Sequence, residues 1–245
     1  MTPITSLKNP LIQQIKKLHF NKYRQQLGLF VAEGMRTITT MTDNGYKPEH
    51  VFFTEETADY QSFFTDSKCL LVPDHIMGTI SSSKSPSGIL AIFPIPKKPQ
   101  VKDLSSGSVL AQISDPGNMG TLIRTTAAMG LKTVVCIESV DPWNPKVIQA
   151  SAGTIAAVNI FQIDWQTLIQ YKGDLTLSAL VVSGGESPEV MPKNTLIVIG
   201  NEATGIPDKW IAKCDQRITL SMPGKTESLN AAVAGAIALY LLVQA

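Results

Sequence analysis

Three short segments of this 245-residue chain hold the side chains on which chemistry could rest. The first is Asp115-Pro-Gly-Asn-Met-Gly-Thr-Leu-Ile-Arg124. Pro116 and Gly117 make a turn, Asn118 caps or binds, and Gly120 allows close backbone approach where a helix begins. Leu122 and Ile123 face the core, which leaves Arg124 on a polar flank with Thr121 and Thr125. A guanidinium near the free N–H groups of a helix start is suited to grip a phosphate with its planar fork. The second segment is Leu196-Ile-Val-Ile-Gly-Asn-Glu-Ala-Thr-Gly-Ile-Pro207. Gly200 ends a strand, Gly205 turns the chain and Pro207 suits the first position of a short helix. Its two glycines invite a phosphate-loop reading, but Ile206 and Pro207 stand where that loop requires Lys and then Ser or Thr. An exposed Asn201-Glu202 pair at a strand end remains. The third segment, 220–230, feeds an Ala-rich terminal helix, with Ser228 as the expected cap and Asn230 in the first turn, where burial without partners would be costly. Taken singly, each has an ordinary alternative: an arginine without a partner, a capped turn, a helix cap.

The elements that must position these segments follow from the apolar pattern. Strands are expected at 109–113, 133–137, 177–182, 196–199 and 218–220, and helices at 120–129, 145–153 and 228–243. Continuous apolar strands alternating with helices imply a mostly parallel sheet covered on both faces, whose ligands sit at the carboxyl ends of the strands. All three segments fall at such ends. Upstream, 29–34, 51–54, 69–72 and 88–93 read as short strands and 35–43 as a helix, a small mixed α/β unit. The Pro- and Lys-rich stretch 93–108 reads as a linker. The expected domains are therefore 1–100 and 107–245.

Composition narrows the function classes. Hydrophobic residues make up 44% and charged residues 17%, which excludes disordered and fibrous chains. With Lys+Arg 21 against Asp+Glu 20, bulk charge argues for no polyanion, so local charge must. Lys8, Lys16, Lys17, Lys22 and Arg24 occur with no acidic residue among them, interleaved with Leu11, Ile15 and Leu18 at helical spacing. An amphipathic helix there would turn its lysines outward, either as a solvated face or as a surface that tracks phosphates. Cys69, Cys136 and Cys214 form no CxxC, which argues against a zinc site or a disulfide framework and points to a reducing cytoplasm. The start of the chain lacks the pattern of a secretory signal, and the apolar run 231–243 is too short to span a membrane. No metal and no membrane are expected.

Together the three segments resemble the motifs of the SpoU (TrmH-like) branch of the SPOUT methyltransferases. Asn118, Gly120 and Arg124 match the first motif; Gly200-Asn-Glu202 with Gly205 matches the second; Gly224 with Ser228-Leu-Asn230 matches the third. The stretch 144–153 resembles the family's segment ending in Ser-x-Gly. Phe30-Val-Ala-Glu-Gly-Met-Arg36 is similar to the small ribosomal-protein-like substrate-binding domain that precedes the catalytic unit. The resemblance implies a carboxyl-terminal α/β trefoil knot with a mostly parallel sheet, with S-adenosylmethionine held by the backbone at Gly200, Leu220 and Leu229. It implies methyl transfer to a ribose 2′-hydroxyl of RNA, ribosomal ahead of transfer RNA, by a homodimer joined through the knotted domain. Arg124 would grip the phosphate beside the target ribose, while Asn118, Glu202, Ser228 and Asn230 orient it or complete the pocket. Lys16, Lys17, Lys22 and Arg24 would meet RNA. The proton acceptor stays open between a phosphate oxygen, Glu202 and water, since arginine scarcely deprotonates. Small residues from Ala231 to Ala238 suit close packing, inside the knot or between subunits. The sequence departs from the family at Leu220-Ser221, where Ile-Pro is common, and at Gln149, where an arginine is frequent. An idle RNA-binding protein on the same fold is the alternative; a dinucleotide oxidoreductase suits a parallel sheet but is heavily discounted, since the chain has no GxGxxG.

Overall fold

The computed structural model describes residues 2–188, 191–224 and 228–244. By packing, the chain forms two units. One takes the residues up to 97 together with Trp143–Ala156, the other Lys98–Pro142 together with the residues from 157 on. The segment 143–156, expected with the second unit, thus groups with the first.

In the first unit, strands β1 (Thr2–Pro3), β2 (Leu29–Glu33), β3 (His50–Phe53), β4 (Lys68–Leu71) and β5 (Ile89–Pro94) make a mixed sheet in the order β1-β4-β3-β5-β2. Helix α1 (Pro10–Leu18) starts at Asn9, whose side chain accepts from the Leu11 N–H, with Pro10 in the first helical position. Its Ile12, Ile15 and Leu18 are buried with Val31, Phe52, Ile76 and Leu90. Helices α2 (Asn21–Leu27), α3 (Met35–Asp43) and α4 (Asp74–Ile80) complete the amino-terminal part, and α6 (Pro145–Ala150) comes from the inserted segment. There Trp143 packs on Phe30, with ring centroids 5.1 Å apart. A Cβ on Gly153 would stand 2.3 Å from the Thr37 carbonyl oxygen, so the Ser-x-Gly segment ends in glycine where it crosses α3. The buried Glu33 carboxylate accepts from the Ser81 hydroxyl at 2.7 Å and from the N–H groups of Ser82 and Ser87 at 3.3 Å. Those donors replace water around a desolvated charge and tie the end of β2 to the loop 81–87.

Arg24 corrects a sequence expectation. It is 2% exposed, and its Nη1 donates to the Leu18 carbonyl at 2.8 Å, so it closes the corner between α1 and α2 and presents no surface to RNA. One helical phase carried through residue 24 would have turned it outward. The chain breaks after Leu18 and α2 starts on a phase of its own. Lys16, Lys17 and Lys22 are exposed.

In the second unit, β6 (Gly107–Ala111), β7 (Thr133–Ile137), β8 (Asn159–Gln162), β9 (Thr176–Leu180), β10 (Thr195–Ile199) and β11 (Gln216–Ile218) form a wholly parallel sheet in the order β11-β9-β10-β6-β7-β8. Alternate residues serve opposite faces. Val109, Val135, Leu196 and Val198 pack with Leu168 of α7 (Trp165–Tyr171) and Trp210 of α8 (Asp208–Ile211). The other face is covered by α5 (Pro116–Ala128) and α9 (Ala231–Gln244). There the Ser108 and Thr126 hydroxyls meet at 3.0 Å, and a Cβ on Gly235 would fall 2.5 Å from Leu122 and 2.7 Å from Ile199. The small residues Ala232, Gly235 and Ala238 of α9 are therefore used inside this unit. Among the described residues no helix is long and apolar enough to cross a membrane.

Candidate active site

Helix α5 begins at Pro116, not at 120, because Asp115 caps it: the carboxylate accepts from the Asn118 N–H at 2.8 Å, with proline in the first helical position. This fixes Asn118 in the first turn with its side chain free for other work. Helix α9 is capped by Asn230, whose Oδ1 accepts from the N–H groups of Ala232 at 2.9 Å and Val233 at 3.2 Å. The cap expected at Ser228 thus belongs to Asn230, which is exposed and carries no burial cost.

These two caps determine a chain of side-chain bonds. With its oxygen committed to α9, Asn230 points its Nδ2 at Asn118 and donates to Oδ1 at 3.1 Å. Asn118 must then present its own Nδ2 on the far side, where it donates to the Glu202 carboxylate. Each amide orientation follows from the one before it. One carboxylate oxygen of Glu202 is engaged, and Glu202 itself is exposed, so the other can accept from a ligand.

The loop that carries Glu202 is held by its neighbour. Asn201 Nδ2 donates to the Gln112 carbonyl at 2.8 Å, and its Oδ1 accepts from the N–H groups of Ala203 at 2.8 Å and Thr204 at 3.2 Å. Its backbone pairs in both directions with Gly205, at 3.1 and 2.9 Å. Gln112 at the end of β6 and Glu138 at the end of β7 take left-handed conformations, φ 58° and 51°, and are joined by a 2.6 Å bond from Gln112 Nε2. Such backbone strain collects at functional edges of folds. Asn201, singled out with Glu202 in the sequence, holds the loop; Asp115 and Gln112 were not among the expected site residues. Asp before Pro at a strand end was the available signal for the first; a left-handed glutamine leaves none.

At the carboxyl ends of β9, β10 and β11 lies a cleft of about 410 Å³, within the usual range for small-molecule sites. Of the residues expected to hold a cofactor, Gly200, Leu220 and Leu229 all line it, and Glu202 and Ser228 stand on the same walls. Leu180, Val182 and Met222 add apolar surface. Leu220, Met222 and Leu229 bring main-chain N–H and C=O groups that have no partner among the described residues. Residues 225–227 of the third segment lie outside the described residues. Arg124 does not line the cleft. It is exposed on α5, on the stripe shared with Gly117 and Thr121, and its side chain makes no hydrogen bond or ion pair among the described residues.

Burial pushes the Cys136 and Cys214 thiols up to about 12, so neither is a thiolate at neutral pH. Among the described residues no cluster of His, Cys, Asp and Glu could hold a metal ion.

Residues 9–91 match the MRM3-like substrate binding domain. The chain is 26% identical over 250 residues to the Bacillus subtilis 23S rRNA (guanosine(2553)-2′-O)-methyltransferase RlmP, covering 99% of each. It is 24% identical to the 23S rRNA (uridine(2479)-2′-O)-methyltransferase of Streptomyces viridochromogenes, covering 98% of this chain and 91% of that one. The AdoMet-bound rRNA methyltransferase from Sinorhizobium meliloti shares the fold, with a TM-score of 0.88 over 99% of this chain and 97% of that one at 23% identity. With residues 108–240, the stretch holding all three loops, matching the family model, the chain belongs to the SpoU rRNA Methylase family and has its α/β trefoil-knot architecture.

Proposed function

We propose that the protein transfers the methyl group of S-adenosylmethionine to a ribose 2′-hydroxyl of RNA, with ribosomal RNA as the substrate. The observation that carries this reading is the Asn230–Asn118–Glu202 chain, which sets a carboxylate on the wall of a cleft built for a nucleoside-sized ligand. The cleft fits the cofactor: apolar side chains can sandwich a base, and the main-chain groups of Leu220, Met222 and Leu229, without a partner among the described residues, can meet its polar edge. When bound, S-adenosylmethionine supplies an electrophilic methyl carbon with a good leaving group. The task left to the chain is to hold the acceptor oxygen in line and stabilise its developing charge. Glu202, oriented by Asn118, accepts the hydrogen bond of the 2′-hydroxyl. With the cofactor held against Gly200, Leu220 and Leu229, Glu202 would take the proton that the 2′-hydroxyl gives up on methylation and pass it to water. Ser228, on the same wall, donates to the ribose. Arg124 clamps the adjoining phosphate; an always-charged guanidinium is a poor base and a good clamp.

The enzyme works as a homodimer in a cytoplasmic setting, which suits its free thiols. While the small residues of α9 face inward, Val233, Ile237 and Tyr240 form an apolar stripe 40–52% exposed on a helix without a charged residue. A second copy on this stripe would make a self-complementary contact and bring in the Arg124 that its own cleft lacks. Replacing Ile237 and Tyr240 together with aspartate should halve the mass measured by light scattering and abolish methyl transfer. A wild-type monomer would remove the dimer from the reading.

The function itself is tested by incubating the protein with methyl-labelled S-adenosylmethionine and RNA from cells lacking it. Label is expected in ribosomal RNA as an alkali-resistant dinucleotide, the mark of a blocked 2′-oxygen. Label in transfer RNA would move the substrate, and saturable cofactor binding without label would make the protein an idle binder.

A further inference from the structure

We infer that Phe20 is a stacking platform for an unpaired RNA base, flanked by Lys16, Lys17 and Lys22, which take the adjoining phosphates. The inference rests on the proposed RNA substrate and names where the first unit holds it. Its starting point is an apolar side chain that the fold leaves in water. Helix α1 ends at Leu18, His19 is held by a 2.8 Å bond between its Nε2 and the Ile80 carbonyl, and Phe20 enters α2 in an extended conformation, φ −102°, ψ 131°. That corner turns the phenyl ring outward, 65% exposed, while its neighbours Leu18 and Arg24 are buried.

The surroundings select the partner. Lys17 Nζ lies 5.8 Å and Lys22 Nζ 6.0 Å from the Tyr23 ring centroid, so two ammonium groups are gathered beside the corner. No acidic residue precedes Glu33 in the chain, and Glu33 is buried and bonded to the loop 81–87. On the helix packed against α1, Asp74 stands at the opposite end of α4 from Ile80, about 9 Å away along its axis. The other strongly exposed phenyl ring, Phe63, offers a contrast: it ends a segment holding Glu55, Glu56 and Asp59, which would repel a phosphate chain. An aromatic face with cations on its flanks is the arrangement that binds single-stranded nucleic acid, because every base has a π-face and every base brings a phosphate.

The test uses the full-length protein and fluorescein-labelled oligoadenylate and oligouridylate, with affinity read by anisotropy over a range of salt. Phe20→Ala should weaken oligoadenylate binding about 5- to 150-fold, the effect of one lost stacking contact. The salt slope should stay unchanged, because no phosphate contact is removed. Phe20→Trp should bind as well as wild type or better, and Phe20→Leu should behave like the alanine variant. Adenylate should be preferred over uridylate, and the preference should shrink without the ring. Replacing Lys16, Lys17 and Lys22 with alanine should instead flatten the salt slope. Wild-type affinity in Phe20→Ala, or in Phe20→Leu, overturns the inference while methyl transfer by the wild type still stands. A change of oligomeric state in Phe20→Ala with RNA binding intact overturns it in favour of a protein contact. A wild type that neither binds nor methylates RNA overturns the functional reading and this inference together.

Discussion

Arg124→Ala should lower single-turnover methyl transfer by about 10²- to 10³-fold, the loss typical of removing one group aimed at developing charge, while cofactor affinity stays within about twofold. The split follows from position. Arg124 is exposed on α5 and stands outside the cleft that Gly200, Leu220 and Leu229 line, so its removal takes nothing from cofactor binding. Its side chain makes no hydrogen bond or ion pair among the described residues, so stability should change little and the loss cannot be put down to unfolding. Arg124→Lys should recover only part of the rate, since an ammonium keeps the charge and lacks the two-pronged fork. If the arginine serves the partner's cleft, mixing Arg124→Ala with a cofactor-binding variant should restore activity. Half of the random dimers would be mixed, each with one complete site, so about a quarter of the wild-type rate should return. Full activity in Arg124→Ala would remove it from the mechanism. A parallel fall in cofactor affinity would place it in the cleft instead.

The parallel sheet was legible because β6, β7 and β10 read as unbroken apolar runs; β6 and β10 carry the first two loops, and the third follows the short strand β11. Strand β8, with the sequence Asn-Ile-Phe-Gln, and helix α7 were not, since each is short and offers no clear period. Spacing alone starts α5 late, because Gly117, Asn118 and Gly120 are poor helix formers, whereas the structure obeys the Asp115-Pro116 start signal. The roles within the third loop were exchanged for a similar reason: Ser228 and Asn230 are both good caps by type, and only the position of Ala231 in the first turn decides between them. Arg24 shows the limit of charge counting. A basic residue in a basic cluster is still turned inward when a helix break resets the phase, and the carbonyl of Leu18 meets it there. The grouping of 143–156 with the first unit had no sequence signal at all, because nothing in a local pattern tells which core a segment will join.

Gly200→Ala should raise the dissociation constant for S-adenosylmethionine about 10- to 100-fold in a calorimetric titration and lower the melting temperature. A Cβ at this position would lie 2.4 Å from the Gly205 carbonyl carbon, 2.5 Å from the Ile206 nitrogen and 2.7 Å from the Gly205 oxygen. All three are backbone atoms, so no rotamer change can make room and the loop itself must open, at a cost of about 1–3 kcal/mol. Opening parts the two backbone bonds between Asn201 and Gly205 and moves the rim on which Glu202 stands. Gly205 supplies the control. It has φ +69° and nothing within 4 Å of a built Cβ, so it needs only a residue that tolerates the left-handed region. Gly205→Asn should therefore keep cofactor affinity near wild type, asparagine being among the few side chains that adopt that conformation readily. Loss of binding in both variants would show that any change in this loop is harmful, and retention in both would separate the cofactor from the loop. Only loss in the first with retention in the second fits a cleft whose wall is formed by close backbone approach at Gly200.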